Sequence, residues 1–219
     1  MPRERTRAHP STSSGGGFGL GESHMLDRRS QLAEHLKPGR FGAGETPRVM
    51  LSEVRGRAIV QAVGWPDTFE NVSKRLAEAA GGTPPETFGI ASVADTVTVL
   101  WAGAERLWFT ADDYGLIARF DGCVSDEEAM LLELTDSRTI FRIKGAAVRQ
   151  VLAKGVAVDL HTSVFPVQAI AHTMVEHAGV LLHRVGPEAF ELYVPRSYAA
   201  NLWHWLTESS AEFGYEVEG

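Results

Sequence analysis

The stretch KGVAVDLHTSVFP, Lys154 to Pro166, sets a lysine, an aspartate and a histidine close enough together to raise the question of proton-transfer chemistry. General acid–base catalysis needs a histidine or carboxylate of tuned pKa within reach of a substrate proton, with a partner that orients it. Lys154, Asp159 and His161 supply the residue types, but neither a nucleophile nor an orienting group stands beside them. Their spacing fits a structural role better. Lys154 precedes Gly155, a residue suited to end a helix, where a cation complements the last carbonyls. Asp159 and His161 fall in a loop, where short polar side chains bond the nearby backbone.

The other reactive residue types are scattered. His172 and His177 share one strand pattern, and alternation puts them on opposite faces, so they do not form a metal pair there. His183 is isolated. Cys123 is the single cysteine and has no nearby cation to activate it. Ser137, Ser163 and Ser197 lack a G-x-S-x-G elbow. The run GGGFGLG offers Gly17 and Gly19, but Glu22 stands where a dinucleotide fingerprint needs its third glycine, and no strand precedes it. The expectation is a chain with no catalytic, cofactor-binding or metal site of its own.

The elements that would have to position such a site form an ordinary globular pattern: 219 residues, 44% hydrophobic and 22% charged, enough to bury a core without disulfide or metal. The net charge of −7 argues against a nucleic-acid partner. Arg3, Arg5, Arg7, Arg28 and Arg29 read as parts of a solvated arm. A lone cysteine, no apolar run of membrane-spanning length and no secretory signal point to a cytoplasmic protein with no membrane insertion.

Residues 1–48 read as an N-terminal arm, flexible over 1–22, with a short amphipathic helix at 26–36 carrying Leu26, Leu32 and Leu36. The folded domain is expected over 49–219. Its first half reads as a strand from Gly56 to Val63, then a helix capped by Asp67 or Thr68 and stopped at Gly81-Gly82. Strands follow around Thr96–Trp101 and Arg106–Thr110, then a short helix after Asp112-Asp113 and a buried strand from Ala129 to Thr135. The plan then repeats: a strand over Thr139–Ile143, a helix burying Ala147, Val148, Val151 and Leu152 and capped by Gly155, strands over 169–177, 180–185 and 189–194, and a helix from a Ser197 cap to Phe213. Gly103 and Gly186, 83 residues apart, each open a Gly-x-Glu-x-apolar-x-apolar turn. The class is therefore α+β, two duplicated split-βαβ (βαββαβ) halves sharing a core.

Two tryptophans stand out as surface candidates. In YAANLWHWL, Leu202, Trp203 and Leu206 form the core-facing stripe and leave Trp205 at its fringe, where interfaces are rich in tryptophan. Trp108 alternates with Leu107, so one of the two leaves its strand's core-facing side and requires a second buried surface.

The second half, LTDSRTIFRIKGAAVRQVLAKGVAVDLH, then VFP, then AIAHTMVEHAGVLLHRVGPEAFELYVPRSYAANLWHWL, resembles the gamma subunit of heterotetrameric sarcosine oxidase. The likeness runs from Leu134 to about Phe213 and continues more weakly from Val49 to Thr135. It implies a fold related to the folate-binding domain of aminomethyltransferases and a non-catalytic accessory role in a complex that demethylates sarcosine to glycine. It also implies FAD, FMN, NAD, tetrahydrofolate and zinc on alpha, beta and delta partner subunits, none on this chain. The interface candidates are Leu26, Leu32, Leu36, Trp108, Asp159, His161 and Trp205. Val156, where relatives often carry cysteine, and Val167-Gln168, where many carry glycine, leave the small subunit of an N-methylglutamate dehydrogenase-type complex as an alternative. A free-standing folate-binding or aminomethyl-transfer protein is the other.

Overall fold

The computed structural model describes residues 29–219; Leu26 and the arm expected over 1–22 lie outside them. Strand β1 (Gly39–Phe41) is followed by β2 (Val49–Val54), β3 (Ala58–Gly64), helix α1 (Phe69–Ala80), β4 (Ala91–Val93), β5 (Thr98–Gly103) and β6 (Arg106–Ala111). A 3₁₀ turn over Leu116–Phe120 leads to β7 (Ala129–Glu133). The second round is β8 (Arg138–Lys144), α2 (Val148–Leu152), β9 (Ile170–Val175), β10 (Ala178–Gly186), β11 (Ala189–Pro195), α3 (Ala199–Ser210) and β12 (Tyr215–Val217).

These strands form a five-stranded sheet, β4-β5-β6-β3-β7, and a seven-stranded sheet, β1-β12-β2-β8-β11-β10-β9. From its far edge the larger sheet repeats the smaller: β9-β10-β11-β8 matches β4-β5-β6-β3. The opening strand of each half is exchanged. β2 pairs antiparallel with β8 of the second half, and β7 antiparallel with β3 of the first. Their sequences match accordingly: VMLSEV from Val49 answers AMLLEL from Ala129, and RAIV from Arg57 answers RTIF from Arg138. The expected duplicated α+β plan is present, with this exchange added.

Alternation along the strands builds three apolar layers. α1 lays Val72, Leu76, Ala77 and Ala80 on the outer face of the smaller sheet, against Phe109 and Phe120. The spacing of those residues along the helix makes that face continuous. α2 and α3 cover the larger sheet with Val148, Leu152, Leu202 and Trp203. The inner faces meet through Ile59, Leu100, Trp108, Ile140, Leu181 and Tyr193. Along one side the sheets are stitched together by a bridge between Ile90 and Ala169.

Several local expectations are corrected. The 26–36 segment shows, within its described part, a single turn at 31–35 rather than a helix. Leu32 is fully buried in the core of the larger sheet and β1 pairs with β12, so residues 29–48 wrap onto the folded domain. β7 is an edge strand, with Met130 and Leu132 on the surface, not a buried one. Gly81, at φ 84°, ends α1 as foreseen, its N–H on Glu78 O and that of Gly82 on Ala77 O. Thr68 sends its hydroxyl to Glu128 O at 2.7 Å instead of capping α1, tying the helix entry to the start of β7. Ser197 sits inside a 3₁₀ turn, Arg196–Tyr198, that leads into α3.

Gly155 does not cap α2, which closes at Ala153. It is a glycine because α3 leaves no room: a Cβ there would stand 2.5 Å from Cζ2 of Trp205. Gly155→Ala is expected to cost about 1–3 kcal/mol of stability by overpacking this contact. Urea unfolding checks it, and Trp205→Leu in the same background recovers part of the loss by making space.

Candidate functional site

Where the inner faces of the sheets diverge, they enclose charge instead of hydrocarbon. Glu191 of β11 is 1% exposed. Its Oε2 accepts from Arg57 Nη1 at 2.8 Å and from the Tyr193 hydroxyl at 3.0 Å. Its Oε1 accepts from Arg142 Nε at 3.1 Å and from the same guanidinium's Nη2. Arg57, at the start of β3, also donates to Asp112 at 3.1 Å, so this cluster joins one sheet to the other. Burial would push the Glu191 carboxyl up, but Arg57 and then Arg142 hold it below the usual carboxylate range. Burial opposes the Arg57 charge as well, and Glu191, Tyr193 and Asp112 together outweigh it and raise the pKa. Burial, then Glu191, raises the Tyr193 hydroxyl. A carboxylate with both oxygens so engaged is a poor proton acceptor; the cluster is built to hold the sheets in register.

The pseudo-symmetry gives the cluster a counterpart. Arg138 opens β8 and Arg57 immediately precedes β3, and the strand position matching Glu191 is Trp108. Arg138 lies over the Trp108 ring at 5.5 Å, a cation–π contact where the other half has an ion pair. Burial lowers the Arg138 pKa. The two arginines, with Arg29, Arg55 and Arg196, line a cleft of about 120 Å³ that also holds Glu53 and Asp136. Its charge suits a carboxylate or phosphate group.

Trp108 is 3% exposed, and its Nε1 donates to Gln61 at 2.9 Å. The second buried surface inferred for it is the inner face of the other sheet, where it meets Tyr193 and His172 edge-on. Trp108 and Leu32 therefore present no surface to a partner in the isolated chain, which corrects their place among the interface candidates. Leu36 is half-buried against the larger core.

The segment of Lys154, Asp159 and His161 is a scaffold. Lys154 donates to Ser209 O at 2.6 Å and pairs with Glu212, so it clamps the end of α3 and not its own helix. The Asp159 carboxylate accepts from the backbone N–H of His161 at 2.8 Å. The His161 ring meets Ser163 Oγ at 2.7 Å, but Asp159 does not reach that ring. The pair thus lacks the orienting carboxylate that a serine nucleophile's base requires. Phe165 packs under the loop on Phe190 at 6.4 Å, and the buried Arg184 donates to Phe165 O at 2.6 Å and to Pro187 O at 2.9 Å. Gln168 has φ 71°, a glycine-favoured conformation, and its side chain bonds His183 Nε2 at 2.8 Å.

Asp159 and His161 are exposed on this loop. Trp205, half-buried, lines a shallow groove with Val175, Tyr198, Asn201 and Leu202. Trp205 packs against Gly155, at the start of the segment that carries Asp159 and His161. Sequence reasoning missed Arg57, Arg142, Glu191 and Tyr193. One signal was available: Glu191 and Tyr193 alternate with Phe190, Leu192 and Val194 in a strand buried on both faces. Among the described residues, no group of three His, Cys, Asp or Glu is placed to hold a metal ion. No described helix is long and apolar enough to cross a membrane.

Comparison with known proteins agrees with this architecture. The sarcosine oxidase subunit gamma of Corynebacterium sp. (strain P-1) is 29% identical over 190 residues, covering 86% of this chain and 93% of the relative. That of an Arthrobacter species is 27% identical over 187 residues, covering 84% and 91%. A chain of the heterotetrameric sarcosine oxidase from Corynebacterium sp. U-96, solved with pyrrole 2-carboxylate, superposes with a TM-score of 0.74 at 28% identity, covering 85% of this chain and 96% of that one. Aminomethyltransferase T of the glycine cleavage system from Bartonella henselae, at 16% identity and a TM-score of 0.55, covers 79% of this chain and 48% of its own and shares the fold. Residues 78–212 match the family model described as sarcosine oxidase, gamma subunit family, and the chain belongs to that family.

Proposed function

We propose that this chain is a non-catalytic accessory subunit of a heterotetrameric flavoenzyme that oxidatively demethylates sarcosine to glycine. The observation that carries this reading is the superposition on a chain of a heterotetrameric sarcosine oxidase, over 96% of that chain. The buried charge of this chain fits it, because Glu191 is spent on Arg57, Arg142 and Tyr193 and is not offered to a substrate. The partners are alpha, beta and delta subunits carrying FAD, FMN, NAD, tetrahydrofolate and zinc, and the complex works in the cytoplasm. Leu26, Leu36, Asp159, His161 and Trp205 are the contact residues proposed on this chain.

Co-expression with the large subunits tests the reading. The chain purified alone is expected to show no flavin absorbance and no amine oxidation, and to co-purify with flavin-containing subunits into a sarcosine-oxidising complex. Amine oxidation by the isolated chain overturns it. Tight tetrahydrofolate binding by the isolated chain in calorimetry favours a free-standing folate protein. A complex preferring N-methylglutamate over sarcosine moves the assignment to that demethylase.

A further inference from the structure

Among the described residues, the larger sheet fills a strand position that the smaller sheet leaves open. Beyond β2 lies β12, parallel to it through Tyr215 opposite Val49, Glu216 opposite Met50 and Val217 opposite Leu51. β7 is the counterpart of β2, and it is the last strand of its sheet. The bond from Leu134 N to Ile59 O at 2.8 Å fixes which groups of this segment face β3. Alternation in an antiparallel ladder then turns the N–H and C=O groups of Leu131 and Glu133 outward. On the face toward the other sheet, Met130 is 52% exposed and Leu132 is 46% exposed, since the larger sheet does not extend over β7. A free edge with apolar side chains is a template for another strand, one that proteins normally blunt or cover.

We propose that the β7 edge accepts an extended segment of another polypeptide of the assembly, running parallel to β7 in the place that β12 takes beside β2. This rests on the reading of the chain as a subunit of a larger complex. A second copy related by a two-fold axis across this edge would pair β7 with β7 antiparallel, against the parallel geometry of β12 on β2. The first 28 residues of the chain run through PSTSSGGGFG, rich in residues that disfavour strands. Asp126, Glu127 and Glu133 are exposed along the edge. The fitting partner is therefore a short strand of apolar residues flanked by lysine or arginine, held by main-chain bonds to Leu131 and Glu133.

Hydrogen–deuterium exchange on the chain alone and in the co-purified complex tests this. The amides of Leu131 and Glu133 are expected to exchange rapidly alone and roughly a hundredfold more slowly in the complex. Glu133→Pro removes an N–H that faces away from β3, a place where an edge strand tolerates proline. The variant is expected to keep the unfolding midpoint of the isolated chain and to reduce recovery with the large subunits roughly tenfold or more. Exchange that stays fast in a complex that does form overturns the edge proposal and leaves the functional reading standing. A chain that co-purifies with no flavoprotein overturns both. Protection in the isolated chain that rises with concentration assigns the edge to a second copy, and protection lost on deleting residues 1–28 assigns it to that segment; either overturns the proposal.

Discussion

Glu191→Leu is expected to lower the free energy of unfolding by about 3–5 kcal/mol, the usual penalty for leaving a buried charge without its partner. The abandoned charge is Arg57, whose side chain is 17% exposed and donates to Glu191 at 2.8 Å. Arg142, with 37% of its side chain exposed, can turn to water. Arg57 keeps the neutral Tyr193 hydroxyl and Asp112, a carboxylate that is itself 77% exposed and correspondingly weak as a counter-ion. The Tyr193 hydroxyl, fully buried, also loses its acceptor. Arg57→Met should cost less, because Glu191 retains Arg142. Combining Arg57→Met with Glu191→Leu should recover most of the loss, since an apolar pair of similar volume matches a buried ion pair in stability. Urea unfolding of the four proteins closes a double-mutant cycle. A Glu191→Leu cost below about 1 kcal/mol would mean that water reaches the cluster.

The second large effect is one of pH. His183 is 2% exposed. Burial pushes its pKa down to about 4, against the pull of Glu191 and with the help of Arg57. The geometry agrees with a neutral ring: Nε2 bonds Gln168 at 2.8 Å, and Nδ1 is buried with no partner that could accept a second proton's bond. The unfolded chain takes up a proton near the ordinary histidine value of about 6.5, and the native chain does not until about pH 4. Stability from this group is thus complete above pH 6.5 and is lost as the pH falls toward 4, by about 3 kcal/mol in all. Unfolding free energies from urea titrations at pH 7 and pH 4.5 should differ by most of that amount, and His183→Gln should flatten the difference. An equal pH dependence in the variant would show that His183 is protonated in the native protein. The lowered pKa of Glu191 adds its own loss, which begins as the pH falls through the ordinary carboxylate value and is complete once the native carboxyl takes up its proton below it.

The duplicated plan was legible because strand and helix periodicity restarts after Asp136-Ser137, and because the Gly103 and Gly186 turns match. A sharper mark of duplication, VMLSEV against AMLLEL, was also in the sequence, but its meaning depends on which sheet each strand joins. Nothing local says that β2 leaves for the other half. The 26–36 segment misled for a related reason: its leucines suit a helix, yet Leu32 is claimed by the larger sheet's core, and tertiary burial outweighs a short segment's preference. Gly155 was read as a helix terminator when its cause lies fifty residues on, in the indole of Trp205. The charged cluster escaped notice because Glu191 and Arg142 read as solvent-facing positions in alternating strands. Only the second sheet makes that face an interior.

The exchange of β2 and β7 also bears on how the chain is made. When the ribosome has delivered β1 to β6, β2 has no strand to lie against, for β8 has not yet emerged, and the first sheet still lacks its last member. Each half, made by itself, would hold an opening strand whose native partner lies in the other half. The two therefore become native together, late in synthesis and across long stretches of sequence, which is slow, with unpaired edges exposed in the interim. Genetic division of this molecule into its two repeats would part β2 from β8 and β7 from β3, although its internal symmetry invites that cut.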